Sequence, residues 1–212
     1  MEEDSRVKKL ERYDRFLIII LILGIVMLAA GINLASRIGA TGPRGEYANL
    51  AWNIVNGKGF TLDYIDEYYI KFDSIPHPFE WDYPMMGIML APFVFFLGKT
   101  PVAVVLPITL IGTIFFPVLV YYIGKEFFDR KIGFLSAVSM LFYWPISDLL
   151  FNGYRDIPFA FFLLAGIYFF YKGLKEEKYN FYLMGIFLGI SYLIRPTTMV
   201  VFPVLLLAHY LI

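Results

Sequence analysis

The stretch LLFNGYRDIPFAFFLLAGIYFFYKG, Leu149 to Gly173, decides the fold class. From Ile157 to Tyr171 it carries no charge, and Lys172 closes it. Such a run reads as a membrane-spanning helix, yet Arg155 and Asp156 stand side by side at its start. A charge in the bilayer core costs about 3 kcal/mol or more, so charges there have a partner, a water path or a function. The rest of the chain is of the same kind. Of its 212 residues, 59% are hydrophobic and only 17% charged, more apolar surface than a soluble domain of this size can bury. The expectation is an all-α polytopic membrane protein with about six spans.

The other uncharged runs are Phe16–Ser36, Thr100–Gly124, Ile132–Ser147 and Tyr179–Ile194, with Pro196–Ile212 running to the last residue. Several fall short of the roughly 20 residues a span needs, so their charged flanks snorkel or sit within protein. Phe16–Ser36 is too long for the apolar part of a cleavable signal and reads as a retained first span. Arg6, Lys8, Lys9, Arg12 and Arg15 precede it and place the N-terminus in the cytoplasm. The segment YPMMGIMLAPFVFFLG, Tyr83–Gly98, is ambiguous. If it does not span, Lys125, Arg130, Lys131, Lys172, Lys175 and Lys178 all lie inside; if it spans, all lie outside. The positive-inside rule favours a re-entrant or interfacial element. The loop from Arg37 to Asp82, the Arg155–Asp156 pair and Arg195 then share the extracytoplasmic side.

Other classes are excluded directly. Net charge is zero, which gives no field for nucleic acid. There is no cysteine, and His77 and His209 are the only histidines, so disulfides and histidine-rich metal sites are excluded.

The first long loop has its own structure. In GEYANLAWNIVNGKGF, residues 45–60, Tyr47, Leu50, Ala51 and Ile54 recur at helical spacing, and Gly57 and Gly59 supply a stop. This predicts a short amphipathic helix lying on the membrane surface, apolar side down. Glu46 falls in its first turn, where the helix dipole alone would favour a carboxylate. Beyond it, Asp63, Asp66, Glu67 and Asp73 with Tyr64, Tyr68 and Tyr69 could hold a divalent cation, although their spacing matches no specific metal loop and equally suits a solvated face. Pro76, Pro78 and Pro84 stiffen the return to the membrane. His77, between two of them, reads more readily as structural than catalytic.

The order of these pieces resembles a known family. A basic tail and one span precede an outer loop that opens on GEYANLAWNIVNGKGF; DYPMMGIMLAP follows, then YYIGKEFFDRKIGFLSA, NGYRDIPFAFF and YLIRPTTMVVFP. This resembles the N-terminal half of C-type membrane glycosyltransferases, the polyprenyl-phosphosugar-dependent enzymes that include protein O-mannosyltransferases and the aminoarabinose transferases of lipid A. The resemblance implies residues 1–36 as cytoplasmic tail and first span, 37–99 as the extracytoplasmic loop with its surface and interfacial helices, and 100–212 as a helix bundle continuing beyond the last residue.

The resemblance also implies an activity: transfer of a sugar from a polyprenyl-phosphate carrier to a hydroxyl of a protein or glycolipid acceptor in membrane lipid. By position, Glu46 matches the family's first acidic residue, the catalytic acid or base, and Asp156 its second. Many relatives carry an aspartate a few residues ahead of Tyr47; here Pro43 and Arg44 stand there, and Glu46, one carbon longer, takes the role. Arg155 and Arg195 are candidates for the donor phosphate, since a guanidinium fork matches phosphate geometry. Asp156 would position the acceptor or orient Arg155, while His77 and Tyr83 are candidates on the acceptor side of the loop. Two other readings stay open: a non-catalytic scaffold that binds a lipid headgroup, and a transporter subunit.

Overall fold

The computed structural model describes residues 2–37, 43–65, 74–79, 84–175 and 177–211, with side chains from Arg15 onward and, in the second helix, from Gly45 onward. Tyr83, Asp66, Glu67 and Asp73 lie outside the described residues. The protein is an all-α membrane protein. A first helix, α1 (Glu2–Arg37), is followed by α2 (Pro43–Val55), a two-residue antiparallel pair of β1 (Thr61–Leu62) with β2 (His77–Pro78), and α3 (Met85–Leu97). Next come α4 (Pro101–Leu110) and α5 (Phe116–Phe127), joined through a π-helical turn, Ile111–Phe115. After them stand α6 (Arg130–Phe142), α7 (Trp144–Phe151), α8 (Asp156–Lys175) and α9 (Asn180–Ile194). A 3₁₀ turn, Pro196–Val200, leads into α10 (Val201–Leu211).

Among the described residues three helices are long and apolar enough to cross a membrane: Arg15–Arg37, Pro101–Phe127 and Asp156–Lys175. The α6–α7 pair makes a fourth if counted as one bent span. Its expected run, Ile132–Ser147, breaks at Tyr143, whose backbone is extended, and the two helices meet at 55°. Pro145 is the cause: without an N–H it cannot bond the carbonyl of Leu141, and its ring crowds that turn. The expected runs Tyr179–Ile194 and Pro196–Ile212 form apolar helices, Asn180–Ile194 and Pro196–Leu211, that are shorter than a span. Tyr83–Gly98 yields the 13-residue α3, also short of a span.

Prolines shape the α4–α5 rod as well. Thr100 caps α4 by accepting the N–H of Ala103 at 3.2 Å, and Pro101 starts the helix. Pro117, with no N–H, leaves a gap in the ladder behind it, and the π turn sits there. Gly24 of α1 presses on this place: a Cβ at Gly24 would stand within 2.1 Å of the Thr113 carbonyl oxygen.

The stripe predicted for α2 is buried, but against protein. Tyr47, Ala48, Leu50 and Ala51 are at most 4% exposed and Ile54 is half-buried; Tyr47, Ala48 and Ala51 share one core with Met86 and Leu90 of α3, Val104 and Ile108 of α4, Ile157 of α8 and Ile194 of α9. Gly87 of α3 admits Leu50 and Ile54, which a Cβ would meet at 2.9 and 2.8 Å. The stop falls at Gly57 and Gly59, both with positive φ, and Lys58 N–H caps the Asn53 carbonyl at 2.8 Å. The reach of this core from residue 47 to residue 194 is what fixes α2 beside the ends of α8 and α9.

The α5–α6 hairpin turns on glycines. Asp129 caps α6 by accepting the Ile132 N–H at 2.8 Å. A Cβ on Gly124 would lie 2.6 Å from the Gly133 Cα, and one on Gly133 would lie 2.5 Å from the Tyr121 carbonyl oxygen. These are backbone atoms that cannot yield, so small residues set the helix separation. Gly133→Ala is expected to cost about 1–3 kcal/mol of stability, as overpacking does. The readout is a lower thermal denaturation midpoint in lipid nanodiscs. Gly185→Ala is the control, since a Cβ there meets nothing within 4 Å.

Candidate active site

Four of the six candidate residues come together where α2 begins, α8 begins and α9 ends. Gly153, with φ +73°, ends α7 and turns the chain so that Arg155 and Asp156 stand at the mouth of α8. The Arg155 carbonyl accepts the Phe159 N–H at 3.0 Å and starts the helix. At the other end of the site, α9 stops at Ile194 and Arg195 is extended, because Pro196 cannot continue the ladder.

Arg195 reaches across this gap. Its Nη1 donates to Asp156 Oδ1 at 2.5 Å, an ion pair between residues 39 apart in sequence. Its guanidinium carbon lies 5.7 Å from the centre of the Phe159 ring, one turn along α8. Asp156 therefore orients Arg195, a partner that its sequence neighbour Arg155 did not suggest. Both side chains remain about one-third exposed, so the pair faces an accessible space.

Arg155 engages α2. It makes a side-chain hydrogen bond with the Tyr47 phenol, which also feels the charges of Glu46 and Asp156. Burial is the largest influence on that phenol. It outweighs the opposing pull of Arg155 and pushes the Tyr47 pKa up to about 12. Tyr47 is thus a neutral hydrogen-bonding group at physiological pH. Glu46, half-buried beside it, brings a carboxylate to the same place. Two arginines and two carboxylates then gather near the buried Tyr47 phenol.

His77 lies elsewhere in its bonding. It is 4% exposed, with Nδ1 2.8 Å from the Pro78 carbonyl oxygen and Nε2 2.8 Å from that of Tyr64. The ring thus lies between two carbonyls of the loop backbone. Asp63 pairs with Lys58 at 3.1 Å, and its backbone N–H donates to the Asn49 side chain at 3.0 Å. Among the described residues no three His, Asp or Glu side chains group as a metal site. A separate apolar cavity of about 230 Å³ lies among α8, α9 and α10, lined by Phe170, Phe181, Leu188, Phe202 and His209.

Four contributors were not singled out as site residues from sequence: Tyr47, counted only as part of an apolar stripe, and Phe159, Ser191 and Thr198. Ser191 and Thr198 bracket Arg195 at four and three residues, the spacing at which helix and 3₁₀ backbone bonds close. That spacing was the signal available.

Residues 77–212 match the dolichyl-phosphate-mannose-protein mannosyltransferase family. The match covers more than half of the chain, and the protein belongs to that family, a membrane glycosyltransferase of the C type. Asp156, Arg155 and Arg195 fall inside the matched segment; Glu46 precedes it. No curated protein and no solved structure matches the chain.

The raised Tyr47 pKa has a consequence for stability. Between pH 10 and about 12 the unfolded phenol loses its proton while the folded one keeps it. The unfolded state then binds fewer protons, so stability falls with rising pH in that window. The denaturation midpoint of the wild type is expected to fall more steeply there than that of Tyr47→Phe.

Proposed function

We propose that the protein transfers a sugar from a polyprenyl-phosphate carrier to a hydroxyl of a protein or glycolipid acceptor at the extracytoplasmic face of the membrane. The observation that carries this reading is the meeting of Glu46, Arg155, Asp156 and Arg195, drawn from three separate segments, around Tyr47. The family's own description names a lipid-phosphate-linked mannose and a protein, which supports the donor and acceptor classes.

In this reading the acceptor oxygen attacks the anomeric carbon as the bond from that carbon to the phosphate oxygen breaks. The polyprenyl phosphate leaves with the electron pair, and the configuration inverts. Glu46 accepts the acceptor's proton, a task that requires hydrogen-bond reach. Negative charge grows on the phosphate, and fixed cations stabilise it best in a partly dehydrated site. Arg195 uses one N–H on Asp156, and a guanidinium has five to offer, so its fork retains donors for phosphate oxygens. Arg155 approaches from the Tyr47 side. Asp156 keeps Arg195 from swinging out to solvent and keeps the empty site near electroneutral until the anion arrives. His77 sits in the loop assigned here to the acceptor side, and Tyr83 is a further candidate there from sequence.

Orientation follows from the basic residues. With α3 short of a span, the positive-inside rule keeps Lys125, Arg130, Lys131, Lys172, Lys175 and Lys178 in the cytoplasm and the site outside.

The test is transfer from a synthetic polyprenyl-phosphate sugar in proteoliposomes, paired with photolabelling by a polyprenyl-phosphate analogue. Glu46→Gln should lower transfer by roughly 10²- to 10⁴-fold while sparing labelling. Arg155→Ala and Arg195→Ala should weaken labelling itself. Full transfer by Glu46→Gln would remove Glu46 from the base role. Labelling indifferent to both arginine variants would contradict the donor site.

A further inference from the structure

Arg195 sits at a break in the helix, where its carbonyl accepts the Thr198 backbone N–H at 3.3 Å. It is an extended residue between a helix end and a 3₁₀ turn, and Pro196 removes the next N–H. Two fully buried hydroxyls close this gap. Ser191, the last-turn residue of α9, gives its carbonyl to the Arg195 N–H at 2.9 Å. Thr198 donates its hydroxyl to the Arg195 carbonyl at 3.2 Å. The two hydroxyl oxygens are 2.9 Å apart. With the Thr198 proton on the carbonyl, the Ser191 hydroxyl donates to Thr198. Ser191 Oγ also stands 3.5 Å from the Phe159 carbonyl oxygen, on the α8 turn whose ring lies beneath the Arg195 guanidinium. Backbone and guanidinium of Arg195 are therefore both held, the first by Ser191 and Thr198, the second by Phe159 and Asp156.

The geometry points to Ser191 and Thr198 as positioning residues, a hydroxyl pair that clamps the Arg195 backbone so that its guanidinium meets Asp156 and presents its remaining donors to an anion in the site. The physical reason is entropic. An arginine on a free helix end samples many rotamers and turns, and ordering it on binding weakens affinity, whereas a pre-ordered guanidinium loses less. That the anion is the donor phosphate rests on the reading proposed above; the clamp itself does not.

The experiment uses the full chain labelled with ¹⁵N-arginine in nanodiscs, with the Arg195 side-chain signals assigned by their loss in Arg195→Lys. A held guanidinium shows separate, slowly exchanging Nη resonances; a free one shows them averaged. The wild type and Thr198→Ser are expected to show them separate, and Thr198→Val and Ser191→Ala averaged. Labelling by a benzophenone-bearing undecaprenyl phosphate is measured on the same samples. It should fall about threefold to tenfold in Thr198→Val, the worth of one hydrogen bond, and recover in Thr198→Ser. In the Thr198→Val/Arg195→Ala double variant it should fall no further than in Arg195→Ala, because both act through one group. Averaged signals in the wild type, or separate signals in both Thr198→Val and Ser191→Ala, would overturn the clamp. Averaged signals in the variants, with labelling indifferent to Arg195→Ala, would keep the clamp and remove Arg195 from donor binding.

Discussion

The ion pair between Arg195 and Asp156 organises this protein. It joins the last residue before a proline break to the first residue of a membrane-crossing helix, across 39 residues of chain. Two helices that pack along their lengths could still splay at one end, and here they are tied there by charge. The close approach behind the tie comes from Gly166, where a Cβ would meet Leu188 at 2.5 Å. Apolar packing sets the distance between α8 and α9, and the ion pair decides what happens at its mouth. A pair one-third exposed contributes little to stability. Its value lies in direction: it fixes where the Arg195 guanidinium stands at the mouth of α8.

The other half of the site is brought by burial. Tyr47 is the contact between the loop helix α2 and the membrane bundle, sunk in the same core as Ile157 and Ile194. That burial raises the phenol's pKa and carries Glu46, the next residue back, to the mouth of α8. The site thus combines a carboxylate delivered by an apolar anchor with an arginine delivered by a helix break. In the proposed reaction, this gives a base on one side of the sugar and cations on the leaving phosphate.

Much of this was legible in the sequence because it is local. Helical spacing of Tyr47, Leu50 and Ala51 marks the buried face of α2, and Gly57 and Gly59 mark its end. The break at Arg195 follows from Pro196. What covers the α2 stripe was not legible, since periodicity shows that a face is apolar without saying whether lipid or α3 lies against it. The bend at Tyr143 was hidden inside an uncharged run, where Pro145 should have outweighed hydropathy. The partner of Asp156 was also out of reach: sequence proximity favoured Arg155, and only the tertiary packing of α8 on α9 brings Arg195 instead. Thr198 and Ser191 belong to the same class, polar residues whose role exists only once the turn between them has formed.

The most direct test of the account is a distance measurement by solid-state NMR between ¹⁵N-labelled arginine side chains and the phosphorus of a polyprenyl phosphate bound to the protein in liposomes. The account predicts ³¹P-dependent dephasing of guanidinium signals, reduced in Arg155→Lys and in Arg195→Lys. Dephasing that is absent, or unchanged when either arginine is replaced, would contradict it.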